Sequence, residues 1–437
     1  MAVSGDEGRI HIVGAGLAGL SAAVRLAAQG RAVTLYEAAA QAGGRCRSFH
    51  DARLDCLIDN GNHLMMTANT AVLDYLDLLQ AGDALTGPAQ AAFPFLDLES
   101  GQRWTLKPSA GRIPWWVLSR KHRVPGTRIT SYLKGLRLAF AGADARIGDC
   151  LDTNDPLWRR FWEPLIVAVL NTPAEEGSAR LLWQVLRLTF ARGEAACRPL
   201  VARHGLGPAL VDPALAILAD RGAEVRFNQR LRRIDFTGER AVQLDFAGQA
   251  VALGSADQVI LALPPQAAEG LLPGLDAPRE SHAIVNAHIR LPQAPDWPFE
   301  RDKVERGQIG GGQEVPFMGL LGGTADWLFL RGSVVSLTVS AATALAQRPN
   351  DEIAAALWSD TARALGLDPS LNPPIRVINE KRATFAQTPA ALRRRPAPRS
   401  AWRNLFLAGD WTATGLPATI ESAVRSGEAA AKALTLP

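Results

Sequence analysis

Cysteine is scarce in this chain, and its scarcity closes off two kinds of site. Only four cysteines occur in 437 residues (Cys46, Cys56, Cys150, Cys197). None stands in a CxxC spacing and no His/Cys cluster surrounds them, so neither a structural zinc nor a redox dithiol is expected, and free thiols in a reducing compartment are. Long apolar runs are missing too. No uncharged stretch reaches the roughly 18–20 residues that span a bilayer; the longest, residues 333–347, is short and rich in Ser and Thr. Residues 1–9 carry Asp6 and Glu7 and no apolar core, so no secretory signal is expected. Charge of one sign is not in bulk excess: the net charge is only +4, which gives no reason to expect a nucleic-acid partner. The length itself exceeds one simple core and implies two or three structural units.

What the chain does have is a pair of glycine-bearing segments at its two ends. Ile10-His11-Ile12-Val13 reads as a strand and runs into Gly14-Ala15-Gly16-Leu17-Ala18-Gly19. Leu17, Leu20, Ala23, Val24 and Ala27 follow at helical spacing up to Gly30, and residues 32–36 form the next strand. In such a βαβ unit Gly14 permits the tight turn, Gly16 lets backbone approach a pyrophosphate, and Gly19 lets helix lie close to strand. The positive helix end then faces the phosphates. Glu37 stands 18 residues after Gly19, where a carboxylate accepts hydrogen bonds from a ribose diol, with Ala38 next to it. Gly43-Gly44-Arg45 follows; the pair of glycines makes a loop in any case, and its closeness to Glu37 suggests that it covers the pyrophosphate, with Arg45 adding positive charge.

At the far end, Asn404-Leu405-Phe406-Leu407-Ala408-Gly409-Asp410 reads as a buried strand and turn. After Gly415-Leu416-Pro417, a helix with a small-residue face begins at Thr419 and Ile420 and continues through Ala423, Val424, Gly427 and Ala430. Alone this is a plain strand, turn and helix. Paired with the N-terminal segment, it suits a flavin: Asp410 on the ribityl or pyrophosphate side, and the helix end beside the ring, where it stabilises negative charge. FAD is the expected cofactor.

The fold class expected is α/β with α+β insertions: a Rossmann-type FAD-binding domain with a discontinuous substrate domain. Residues 1–86, 206–270 and 382–437 are assigned to FAD binding, 87–205 to a helical, basic, Trp-rich insertion, and 271–381 to a substrate-binding part with a mixed sheet. Residues 224–227, 230–236 and 241–246 read as a meander, and 256–263 as a buried strand stopped by Pro264-Pro265. Residues 393–398 read as an exposed loop.

These residues resemble the FAD-dependent amine oxidase and phytoene desaturase superfamily over nearly the whole chain. Asp59-Asn60-Gly61-Asn62-His63 is similar to the D-x-G-x-H element of its desaturase branch, which the resemblance places near the flavin ring, and Leu231 matches an apolar position against the adenine. Three stretches narrow the likeness: residues 60–65, 380–389 and 408–421 look like the squalene-associated desaturases, the bacterial hydroxysqualene dehydroxylases. The resemblance implies removal of the hydroxyl of hydroxysqualene to give squalene, for hopanoid or sterol synthesis. An allylic alcohol that loses water leaves a delocalised cation, which hydride from reduced flavin quenches; the site needs a proton donor and a dry apolar tunnel. His63 and Asp59 are the candidates for that polar work. Each has a plainer alternative, Asp59 as a turn cap and His63 as a partner of backbone or cofactor.

A lipid substrate also suggests a membrane surface. Residues 100–143 hold nine basic side chains (Arg103, Lys107, Arg112, Arg120, Lys121, Arg123, Arg128, Lys134, Arg137) and no acidic one, interleaved with Trp104, Trp115, Trp116, Tyr132, Leu133, Leu136 and Phe140. Such a segment suits an anionic headgroup layer, and the expected location is cytoplasmic, peripheral on the inner face of the cytoplasmic membrane. A solvated face on an ordinary core, or contact with an acidic protein, is the alternative. No second G-x-G-x-x-G lies in a strand–turn–helix setting, so reducing equivalents are expected from outside, from NAD(P)H, free reduced flavin or a reductase. Two enzymes and one binding protein compete with this reading. An amine oxidase often holds its amine between aromatic faces, but the three tyrosines (Tyr36, Tyr75, Tyr132) lie far in sequence from the C-terminal segment, with Trp402 and Trp411 as substitutes. A carotenoid desaturase shares the fold, cofactor and substrate class. A prenyl-binding chaperone shares the fold without the flavin.

Overall fold

The computed structural model describes residues 8–120, 122–299 and 315–435. Lys121 of the basic segment lies outside them. At the centre is a parallel sheet of five strands, in the spatial order Glu224–Arg226, Val33–Tyr36, Ile10–Val13, Gln258–Leu261, Leu405–Leu407. In chain order this is 3-2-1-4-5, and the direction of winding reverses between the first and fourth strands. A crevice opens at that switch, outside the carboxyl ends of the strands, where open parallel sheets bind ligands. Gly14, Leu263 and Gly409 therefore converge on one edge, although they lie at opposite ends of the sequence.

The strands are buried on both faces because helices cover the sheet, so their sequences are unbroken apolar runs rather than alternations. Leu17–Ala28 and Ile420–Thr435 pack on one face so closely that a Cβ on Gly427 would stand 2.1 Å from the carbonyl oxygen of Ala18. Ser21 Oγ donates to Val424 O across the same contact, at 2.8 Å. The small-residue face of the last helix thus packs against the first helix.

Glu224–Arg226 was expected in the meander. It instead extends the parallel sheet beside Val33–Tyr36, because the helix Asp212–Asp220 supplies the crossover that a parallel neighbour needs. The meander is Leu231–Thr237, Arg240–Phe246 and Gln249–Ala252.

A second sheet of seven strands runs Ile375–Phe385, Ser281–Arg290, Val334–Val339, Trp327–Arg331, Phe317–Leu321, Phe93–Asp97, Arg103–Leu106. Its last two strands come from residues 87–205, so that region is not wholly helical. Alternation sorts the side chains: Leu328 and Leu330 join the core under the helix Asn350–Leu365, while Phe329 points the other way, into a core shared with the helical segments of residues 115–190. No helix among the described residues is long and apolar enough to cross a membrane.

A candidate flavin site and the cleft beside it

The N-terminal glycines divide by what surrounds them. A Cβ on Gly14 would meet Ala262 O at 2.3 Å, and one on Gly19 would meet Gly14 O at 1.9 Å, so both are demanded by packing of strand, turn and helix. Gly16 is different: nothing lies within 4 Å of its Cβ position. The space it leaves faces the start of the helix Leu17–Ala28, whose N-terminus has no side-chain cap and no acidic residue in its first turn. Open space, free N–H groups and a helix end together fit a pyrophosphate. The side chains of Leu17 and Ala18 are buried in the core, so what they offer is backbone.

Glu37 sits at the end of its strand and spans the turn. Its carboxylate accepts from Ala15 N and Ala39 N, each at 2.8 Å, while Ala38 is exposed beside it. The Gly43-Gly44-Arg45 loop closes over the glycine turn: Gly43 N donates to Ala15 O at 2.8 Å, and Gly43 (φ 103°) and Gly44 (φ 54°) both need a conformation that disfavours side chains. From this loop Arg45 reaches Asp410 (2.8 Å) and the carbonyl of Ala383. Arg45 and Asp410 were singled out separately from the two ends of the chain; the fold makes them a pair. Gly409 (φ 148°) admits no side chain, because Trp411 lies 2.4 Å from its Cβ position and donates Nε1–H to Leu263 O. Thr419 Oγ accepts from Ser422 N and starts the last helix, and Ile420 is buried behind it. In the same first turn, Glu421 accepts from Ala71 N and Val72 N, capping the helix Thr70–Leu78. Leu231 is buried with Val13 and Tyr36, next to the strand that carries the glycine turn.

The Asp59-Asn60-Gly61-Asn62-His63 loop is stitched to the seven-stranded sheet by polar side chains that alternate on one face. Asn62 Nδ2 donates to Thr338 Oγ (3.2 Å), Thr338 Oγ to Asn286 Oδ1 (2.9 Å), and Asn286 Nδ2 to Asn60 O (3.4 Å). His288 bridges Asp59 O (2.9 Å) and Ser336 Oγ (2.8 Å). Gly61 leaves little room here, since a Cβ would stand 3.1 Å from Asn286 Nδ2 and the amide would have to give. Asn60 Oδ1 is buried without a partner, an acceptor placed where a ligand donor would satisfy it. That orphan, the cradle at Gly16 and Arg45 make this chain's residues a fit for FAD.

Asp59 and His63 both line a cleft between the loop and the sheet, opposite Phe329, Arg331 and Ser336, with Val201, Leu206 and Val315 completing the walls. They differ in how free they are. Asp59 is 2% exposed, and Oδ1 accepts from Ser48 Oγ (2.5 Å) and Leu206 N (2.8 Å) while Oδ2 faces Arg331 at 3.5 Å. It ties the loop to residues 205–207, as a turn-holding carboxylate would. His63 makes no hydrogen bond to the described residues. Burial lowers its pKa to about 4, against the pull of Asp59, so the ring is neutral at pH 7 and its nitrogens are available to a ligand.

Sequence reading missed Arg331, Ser336, Asn286 and His288. Their signal was present as polar residues recurring every second position in strands that are otherwise apolar, which marks one face of a buried sheet as a polar lining. It also missed Arg395, which lies in the segment read as an exposed loop; Arg393 and Arg394 are exposed there, but Arg395 is not.

Comparison with known proteins agrees with this geometry. A family model described as flavin containing amine oxidoreductase matches residues 17–435. The chain is 45% identical to the hydroxysqualene dehydroxylase of Sinorhizobium fredii, over 97% of each chain. It is 44% identical to that of Rhodopseudomonas palustris, again over 97% of each. Among solved structures, cyclohexylamine oxidase from Brevibacterium oxydans superposes with a TM-score of 0.63 at 17% identity, covering 98% of both chains. An oxidoreductase from Methanosarcina mazei reaches 0.68 at 13% identity, covering 96% of this chain and 99% of the other. At those identities the structural likeness speaks for the fold. The chain belongs to the flavin-containing amine oxidoreductase family, alongside the hydroxysqualene dehydroxylases, and is an FAD-dependent oxidoreductase.

Proposed function

We propose that the protein reductively removes the hydroxyl of hydroxysqualene to give squalene, in hopanoid or other triterpenoid biosynthesis. The observation that carries this reading is the cleft, where a neutral, unengaged His63 stands with Asp59, Asn62, Arg331 and Ser336 beside the apolar side chains of Val201, Leu206, Val315 and Phe329. A polar cluster set against an apolar wall suits one hydroxyl on an otherwise apolar chain. In the reaction the allylic C–O bond breaks with its electron pair going to oxygen, a proton converts that oxygen to water, and a C–H bond replaces it. Bound reduced FAD supplies the hydride. His63 orients the hydroxyl and hydrogen-bonds it as it departs; Arg331, on the facing strand, favours the negative charge that develops on the oxygen. Val201, Leu206, Val315 and Phe329 exclude water from the cation. The reductant comes from outside, NAD(P)H or a reductase.

The same reading includes a membrane surface on the inner face of the cytoplasmic membrane. Ile113, Trp115, Leu118, Ile129, Leu133, Leu136 and Phe140 are all exposed, Phe140 by 89%, and they lie among the arginines and lysines of residues 100–143. Scattered exposed apolar residues are ordinary, but seven in one basic segment suit an anionic bilayer. Behind them Trp116 and Leu138 belong to one apolar cluster with Phe161, Trp162, Phe317 and Phe329, which reaches the cleft. That cluster continues the apolar side chains inward from the exposed segment to Val201, Val315 and Phe329 at the cleft wall.

The deciding assay incubates the flavin-reduced protein with hydroxysqualene and identifies the product by mass. Squalene is expected; turnover of phytoene or simple amines instead would replace this reading. Vesicles containing anionic lipid should retain the protein at low salt, and changing Arg120, Lys121 and Arg123 to Gln should weaken retention. No retention on such vesicles would remove the membrane from the proposal.

A further inference from the structure

Arg395 makes more hydrogen bonds than its place in a surface segment suggests. Its Nε donates to Thr412 O (2.7 Å), Nη1 to Leu416 O (2.7 Å), and Nη2 to Asp410 O (3.0 Å) and Thr414 Oγ (2.8 Å). The ring of Phe385 lies against it, 5.4 Å from centroid to Cζ. None of these partners is a carboxylate. The Asp410 carboxylate is taken by Arg45, so Arg395 is a cation held by neutral oxygens. Burial lowers its pKa to about 10, with Asp410 opposing, and it stays charged at pH 7.

Three backbone carbonyls of one turn point inward at a common centre. Without a cation between them their negative ends would repel, and in this half-buried turn each would lose a hydrogen-bond partner at a cost. Only a planar fork with five N–H groups reaches all of them at once; a lysine ammonium is a point with three. The turn they belong to begins at Asp410, which meets Arg45 over the N-terminal glycine loop, and ends where the helix Ile420–Thr435 starts. Thr414 Oγ and Ser422 Oγ, 2.6 Å apart, tie turn to helix.

We propose that Arg395 is a positioning residue for the cofactor: it grips the 410–416 turn from within, sets where Asp410 meets Arg45 and where the last helix begins, and so governs FAD affinity and potential. The inference rests on FAD as the occupant of the site. Arg395→Lys and Arg395→Met test it, measured by FAD titration of deflavinated protein and by the midpoint potential of the flavin retained. Both variants should bind FAD at least tenfold more weakly than wild type, and their flavin should be harder to reduce, because carbonyl dipoles are left uncompensated beside it. Arg395→Lys keeps the charge and so holds the fold if Arg395→Met does not. Wild-type affinity and potential in Arg395→Lys would overturn the proposal. So would a variant that melts earlier yet binds FAD normally while folded. Wild-type protein that takes up no FAD would instead fail the assignment on which the proposal stands.

Discussion

Gly16→Ala separates cofactor binding from folding more cleanly than any other single change in this chain. The backbone at Gly16 is extended (φ −74°, ψ 176°), which any residue adopts, and a Cβ there meets no protein atom within 4 Å. Two small terms act on the apoprotein. Replacing glycine lowers the entropy of the unfolded chain and stabilises by about 0.4–1 kcal/mol, while alanine is a poorer helix N-cap by an amount of the same order. They largely cancel, so the apoprotein should melt within about 2 °C of wild type. The bound state is different, because the methyl occupies the space through which the backbone meets the pyrophosphate. Losing one charge-assisted hydrogen bond there costs about 1.5–3 kcal/mol, and at 1.4 kcal/mol per decade that is roughly 10- to 150-fold in Kd. Gly19→Ala is the contrast: its Cβ would sit 1.9 Å from Gly14 O, so it should lower the melting point of the apoprotein itself. The assay is flavin fluorescence quenching on titrating deflavinated protein with FAD, beside thermal unfolding without FAD. If Gly16→Ala binds FAD as wild type does, or destabilises the apoprotein as much as Gly19→Ala, the space at Gly16 is not the pyrophosphate site.

Other outcomes follow from the same geometry. Gly427→Ala puts a methyl 2.1 Å from Ala18 O and must push the first and last helices apart; overpacking of about 1–3 kcal/mol, partly offset by helix propensity, should lower the melting point by several degrees in thermal unfolding. His63→Ala should cut turnover about 100-fold while FAD stays bound, read from steady-state kinetics and the visible flavin spectrum; unchanged kcat would remove His63 from the mechanism. His288 is 2% exposed and burial holds its pKa at about 4, below its ordinary 6.5, so the unfolded chain takes up its proton first as pH falls. Stability should therefore be present above pH 6.5 and be lost between about 6.5 and 4, by about 3 kcal/mol for this residue. Urea unfolding across that range should be flatter for His288→Gln than for wild type.

The cofactor end of the molecule was legible because its constraints are local. A tight turn needs Gly14, close helix packing needs Gly19, and an approach by backbone needs Gly16; each requirement acts within a few residues and leaves its mark in order along the chain. The small-residue face of the last helix was readable for the same reason, since Ala423, Gly427 and Ala430 recur at helical spacing. Glu224–Arg226 was misplaced because a short strand carries no label for its partner. Whether it joins a hairpin or a parallel edge depends on the helix before it and on which strand edge remains open.

What the sequence by itself determined is the tool: a dinucleotide-type turn, a ribose-side acid and a second glycine turn that suit FAD, and a basic stretch whose apolar residues break the usual surface pattern. What only the tertiary structure decided is how distant residues share work. Arg45 and Asp410 stand 365 positions apart and become one pair because the second and fifth strands of the parallel sheet, which they follow, end on the same sheet edge. Asp59 became a held carboxylate and His63 an unengaged imidazole through contacts with residues 205–207 and with a sheet built far along the chain. Arg395, read as loop charge, became the centre of a turn because three carbonyls converge on it. Side-chain chemistry is written residue by residue, but burial and partners are set by how strands and turns from remote segments meet.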